Sequence, residues 1–157
     1  MSQDARVKPI FILNGPNLNR LGTREPDIYG RTTLSEIEAQ CRSAAPGHEI
    51  AFRQTNIEGE LVDWVHEAIG TASAIIINPA GCSFTSVALL DALRMFPGPV
   101  IEVHLSNIHA RPPPHRDSLI SRVATGVIAG LDPRGYLLAL SHLIATPLGS
   151  LTLERGG

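Results

Sequence analysis

Apolar and polar positions along this 157-residue chain switch repeatedly between two periodicities, one suited to strands and one to helices. Lys8–Leu13 predicts a strand. Thr33-Leu-Ser-Glu36 has capping-box spacing, and Leu34, Ile37, Cys41 and Ala44 then fall on one helical face. Pro46 and Gly47 end that helix, and Glu49–Arg53 reads as a second strand. Thr55-Asn-Ile-Glu58 repeats the capping pattern ahead of Leu61, Val65 and Ala68. Ala74–Ile77 is a short continuous apolar run, as expected of a strand covered on both faces. A helix is predicted over Ser86–Met95, then a strand at Val100–Val103 and a fifth at Ala124–Ala129. Asp132-Pro133 offers an N-cap and a first-turn proline for a last helix reaching Ile144.

Strands alternating with helices imply a parallel sheet with helices on both faces. Five strands suggest, by analogy of class, the flavodoxin-like doubly wound order 2-1-3-4-5. In such sheets ligands bind beyond the carboxyl ends of the strands, near the point where strand order reverses. The first, third and fourth strands lead into Asn14 and Asn17, Asn78, and His104, so three polar groups emerge on one sheet edge. That convergence predicts an active site there. The length fits a single domain over residues 1–157, with 1–7 as an N-terminal extension and 147–157 as a flexible tail.

Composition narrows the function. Apolar residues make up 43% and charged residues 18%, which excludes a disordered chain. A net charge of −2 without a Lys/Arg run gives no field for nucleic acid. No apolar run approaches the roughly 18 residues that span a bilayer. Asp4 and Arg6 precede the first strand and Lys8 opens it, where a signal core would lie, so a cytoplasmic enzyme is expected. Cys41 and Cys82 are too few for a disulfide framework. His104, His109 and His115 match no familiar metal-ligand spacing, and no metal is expected. No glycine-rich phosphate loop follows a strand, and Gly81-Cys-Ser-Phe-Thr85 lacks the final glycine of a nucleophile elbow.

Three segments carry chemistry. Phe11–Gly30 runs from an apolar strand into a loop holding Asn14, Asn17, Arg20, Arg24, Glu25 and Tyr29, broken by Gly15, Pro16, Gly22 and Pro26. An arginine five residues before a tyrosine suggests a phenol acidified by a fixed positive charge. Read alone, the segment serves equally well as a surface turn with solvated charges. Its glycines and prolines also predict a lid that closes over substrate. Asn78–Ser86 sets small and hydroxyl residues at a helix start, where backbone N–H groups are exposed. In Ile101–Arg111, period-2 alternation sends Glu102 and His104 to the same side. A carboxylate beside an imidazole fixes its tautomer and favours its protonated form, as suits a general acid. By itself that pair is more often structural.

Taken together, these segments resemble the type II 3-dehydroquinate dehydratases over about Pro9–Ile144. The resemblance rests on Asn14-Gly-Pro-Asn-Leu, Arg24-Glu-Pro-x-x-Tyr29-Gly, Thr85-Ser-Val-Ala-Leu and Glu102-Val-His-x-Ser-Asn-x-His-Ala-Arg111, in that order. It implies dehydration of 3-dehydroquinate to 3-dehydroshikimate through an enolate, as in the shikimate and quinate pathways. Tyr29 would remove the proton next to the ketone, with Arg24 stabilising the tyrosinate. An ordinary tyrosine is ionised about once in a thousand at neutral pH, so the shift needed is roughly three units, or about 4 kcal/mol. Asn17 would position a water and support the enolate. His104 would protonate the departing hydroxyl, oriented by Glu102. Asn78 and the backbone N–H groups of Leu105 and Ser106 would hold substrate, and Asp91 would reach a neighbouring subunit's site. No cofactor is implied, because acid, base and electrostatic stabilisation suffice. The resemblance also implies a homo-oligomer, a dodecamer built of trimers.

Two positions depart from the family pattern: Phe84 stands for a histidine and His115 for an arginine, both contacts to substrate hydroxyls. Phenylalanine makes no such hydrogen bond, and Pro112-Pro-Pro114 stiffens the approach to His115. The sequence therefore retains the proton-transfer groups and alters recognition. Two alternatives follow: a divergent lyase acting on a related hydroxy-ketone, or a non-catalytic binder of a cyclitol acid.

Overall fold

The computed structural model describes residues 7–23 and 26–145; the side chains at positions 28 and 29 lie outside that description. Five parallel strands, β1 (Ile10–Asn14), β2 (Ile50–Gln54), β3 (Ala74–Asn78), β4 (Val100–His104) and β5 (Gly126–Ala129), pair in the order β2-β1-β3-β4-β5. This is the flavodoxin-like order suggested by analogy of class. The helices are a single turn α1 (Pro26–Tyr29), then α2 (Leu34–Ala44), α3 (Glu58–Ala68), α4 (Val87–Met95) and α5 (Arg134–Ala145).

Every residue of β1, β3 and β4 is buried, which explains the continuous apolar run read at β3. Alternate side chains serve opposite faces. Phe11, Leu13, Ile75, Ile77 and Val100 pack with Leu61, Val65 and Leu93 of α3 and α4. Ile10, Ile12, Ile76, Ile101 and Val103 pack with Ile37, Cys41, Tyr136 and Leu140 of α2 and α5. Each fully buried aliphatic chain contributes about 1.5–3 kcal/mol.

Several local expectations need correction. The predicted strands stopped short of Asn14, Asn78 and His104, yet all three close their strands, because a polar side chain leaves the main chain able to continue the ladder. Asn14 and Asn78 are register partners. The β5 strand begins two residues later than predicted, at Gly126. The Thr33–Glu36 capping box forms as read, but the one at Thr55 does not. Thr55 Oγ1 instead accepts from the Ile57 N–H at 3.0 Å, a local turn that moves the start of α3 to Glu58 with Ile57 as its N-cap. On α2 the buried end position is Ala45, beyond the helix, rather than Ala44. Asp132 adopts a left-handed φ of 55°, incompatible with the extended N-cap expected of it, and α5 starts at Arg134. Arg24 and the tail from residue 147 lie outside the described residues, as does the expected lid around Arg24.

Candidate active site

The carboxyl ends of β1, β3 and β4 open into a cavity of about 310 Å³ at the reversal of strand order. Its lining includes Asn17, Asn78, His104, Leu105 and Ser106, five of the nine residues singled out from the sequence. Phe84 and His115, the two departures, stand in the same wall.

The β1 exit is shaped by Gly15. Its N–H donates to the Asn78 carbonyl at 2.9 Å, and a Cβ at this position would lie 2.4 Å from the Pro79 oxygen. Only glycine lets the loop cross the end of β3 so closely. Asn17 follows with φ 71°, a left-handed conformation that asparagine tolerates better than most residues. Its backbone N–H donates to Asn56 Oδ1 at 2.9 Å, so the loop beyond β2 fixes it.

Asn78 belongs to a buried chain of polar groups. Its Nδ2 donates to the Tyr136 hydroxyl at 2.9 Å, and that hydroxyl donates to Asn14 Oδ1 at 2.6 Å. Asn14 Nδ2 donates to the Arg53 carbonyl at 3.0 Å, and Asn78 Oδ1 accepts from the Ala80 N–H at 3.2 Å. Tyr136 is fully buried; burial pushes its phenol well above the ordinary value of 10.0, so the hydroxyl stays protonated and keeps donating. Asn14 therefore serves as the floor beneath the site.

His104 Nε2 lies 2.5 Å from Glu102 Oε2, as period-2 alternation required. Glu102 is fully buried, and His104 is 5% exposed with its edge in the cavity. Burial alone would raise the Glu102 carboxyl, but bonds from His104, Ser118 and Ser121 outweigh it and hold the group below its ordinary value. A buried carboxylate facing an imidazole is the arrangement a general acid requires.

Other sequence candidates fall elsewhere. Asp91 is exposed on α4, away from this cavity, 3.9 Å from Arg94. Arg24 lies outside the described residues; Tyr29 ends α1, and its side chain is likewise outside them. Cys82, read as a packing residue, is buried, and burial pushes its thiol up. Sequence reasoning missed Arg20 and Arg111, which line the cavity beside His104 and His115 and give it a basic wall. Arg111 ended a motif already singled out and could have been found there. Tyr136 offered no such signal, since an aromatic on an apolar helix face reads as core. The Phe84 and His115 rings meet edge to face, with centroids 5.6 Å apart.

The fold and this cavity define a flavodoxin-like α/β protein with an acid-carrying site at the switch point of its sheet. The chain belongs to the class II dehydroquinase family, whose model matches residues 8–144. It is 57% identical over 135 residues to 3-dehydroquinate dehydratase 2 of Agrobacterium fabrum, covering 85% of this chain and 92% of that one. It is 55% identical to the 3-dehydroquinate dehydratase of Chelativorans sp., covering 88% and 98%. Among solved structures, the type II dehydroquinase from Propionibacterium acnes superposes with a TM-score of 0.85 at 44% identity, over 88% of this chain and 97% of that one.

Proposed function

We propose that this protein dehydrates 3-dehydroquinate to 3-dehydroshikimate and water. Relatives more than half identical over most of their length carry that activity in their names. The observation that carries the reading is the buried Glu102–His104 pair, 2.5 Å apart at the rim of a cavity that also holds Asn17 and Asn78.

In this reading Tyr29, aided by Arg24, takes the proton on the carbon next to the ketone. The enolate is supported by a water on Asn17, and His104 protonates the departing hydroxyl. With Nε2 committed to Glu102, the proton His104 gives is the one on Nδ1. Asn78 and the main chain at Leu105 and Ser106 hold the substrate, and the basic wall of Arg20 and Arg111 suits an anion. Neither divergent alternative is favoured, because each relative quoted is named for the same reaction.

Purified protein supplied with 3-dehydroquinate should generate the enone absorbance of dehydroshikimate, and Tyr29→Phe should lose nearly all of it. Wild-type turnover no faster than that variant would refute the reading. The chain is further proposed to act in the cytoplasm as a dodecamer of trimers, with Asp91 serving a neighbouring subunit. Light scattering on the eluted protein checks the assembly. Among the described residues no helix is long and apolar enough to cross a membrane.

A further inference from the structure

Glu102 has more partners than its imidazole. Ser118 Oγ donates to Oε2 at 2.6 Å, and Ser121 Oγ donates to Oε1 at 2.6 Å. Ser118 thus shares with His104 the one oxygen that faces the ring, while Ser121 occupies the other. Neither serine lines the cavity.

The local fold explains how two hydroxyls reach one carboxylate. Ser121 sits within the 3₁₀ turn Ile120–Arg122, and Ser118 immediately precedes its N-cap Leu119, so one short segment carries both hydroxyls. The Ile120 side chain is fully buried in the core that α3 and α4 cover, which drives the turn against the sheet. Ser118 Oγ also accepts from the Ile120 N–H at 3.2 Å, and the Leu119 N–H donates to the Ser83 carbonyl at 2.8 Å. The turn is therefore pinned to the segment that carries Phe84 into the cavity wall.

We infer that Ser118 and Ser121 are positioning residues for the acid step: their hydroxyls clamp the plane of the Glu102 carboxylate and keep it anionic, so that it orients His104 without taking its proton. A carboxylate with no solvent access must find all of its compensation in such partners. His104 on its own strand and these two hydroxyls on the opposing turn are the groups that offset its burial. With a hydroxyl deleted, the anion loses a donor, and the proton shared with His104 moves toward the carboxylate. No bond to substrate changes. The inference rests on the dehydratase reading only for its kinetic arm.

The test uses Ser121→Ala, Ser118→Ala, the double variant, and Ser121→Thr as a conservative control that keeps the hydroxyl. Each lost hydrogen bond to the anion should lower kcat by roughly tenfold to a hundredfold. KM should stay within about twofold, since neither serine lines the cavity. The acid limb of the kcat profile should rise by about one pH unit per hydroxyl removed, the same factor of ten. Ser121→Thr should restore both. An arm that needs no turnover follows urea unfolding against pH, where the acid-side loss of stability should be smaller and end at higher pH in the alanine variants, because the folded carboxyl then lies closer to its ordinary value. Ser118 Oγ also accepts from the Ile120 N–H, so a misfolded Ser118→Ala leaves the decision to Ser121→Ala. The inference fails if Ser121→Ala leaves both acid transitions unmoved, or if kcat falls with the limb in place and threonine does not rescue it. If wild type shows no turnover, the dehydratase reading fails, while the unfolding arm still decides the role of the serines.

Discussion

Tyr136→Phe removes one oxygen from the interior and tests whether the floor of the cavity is held by hydrogen bonds or by shape. The aromatic ring stays, so no cavity larger than a hydroxyl opens, and the apolar contacts with α2 and the sheet remain. Two buried groups lose a partner. Asn14 Oδ1 loses a donor at 2.6 Å and Asn78 Nδ2 loses an acceptor at 2.9 Å, and both residues are at most 3% exposed. Leaving a buried polar group unsatisfied costs about 1–3 kcal/mol, giving an upper bound of about 6 kcal/mol for the two. Asn14 keeps its Arg53 bond and Asn78 its Ala80 bond, so neither amide is released, and the phenol's own desolvation is no longer incurred. A loss of about 2–3 kcal/mol is expected, a large share of the 5–15 kcal/mol typical of a domain. Urea unfolding at fixed protein concentration reads it as a lower midpoint with unchanged slope. Because Asn78 lines the cavity, KM should also rise by roughly threefold to tenfold while kcat changes less. A stability loss below about 0.5 kcal/mol with KM unchanged would refute the claim that this chain of bonds positions Asn78.

Glu102→Gln should change how stability depends on pH. The folded carboxyl sits below its ordinary value of 4.5, so it contributes stability above about pH 4.5 that disappears as pH falls through the folded value. The glutamine variant should lack that acid-side component, and unfolding midpoints measured from pH 7 down to pH 3 would show it. Gly15→Ala should cost about 1–3 kcal/mol, because the new Cβ would meet the Pro79 oxygen at 2.4 Å and neither backbone can yield cheaply; a thermal midpoint within a degree of wild type would contradict this. Phe84→His combined with His115→Arg should lower KM for 3-dehydroquinate by roughly threefold to tenfold per recovered hydrogen bond. An unchanged KM would show that the edge-to-face pair already serves recognition as well as the family's usual residues.

How much of this was legible depends on what each residue contacts. A continuous apolar run marked β3, since both faces of that strand are covered and no alternation could survive. Spacing of two put Glu102 beside His104, and the structure brings them within 2.5 Å. Capping patterns succeeded at Thr33 and failed at Thr55, because the same side chain can serve a turn two residues on as readily as a helix three on. The supporting residues were the least visible. Tyr136 bonds to Asn14 across 122 positions, and Ser121 to Glu102 across 19, so no local pattern announces either. Arg24 and the Tyr29 side chain, which the proposed base needs, stay outside the described residues and rest on motif alone.

The two supporting networks stand on opposite faces of the sheet, and alternation along the strands is the reason. Asn14 and Asn78 share parity with Ile12 and Ile76, whose side chains meet α2 and α5, so their amides look toward Tyr136 on α5. Glu102 and His104 share parity with Val100, on the side where Ile120 packs, so their partners come from the serine turn. At the carboxyl edge the faces end and the cavity draws on both. A substrate seated there would meet an amide braced from one core and an imidazole braced from the other. Because the networks share no residue, damage to one should leave the other intact, and their effects on stability should add. Separate bracing also explains how one sheet can keep an anion ionised beside an acid while Tyr136 on the other face stays neutral: each group is answered by its own face of the sheet.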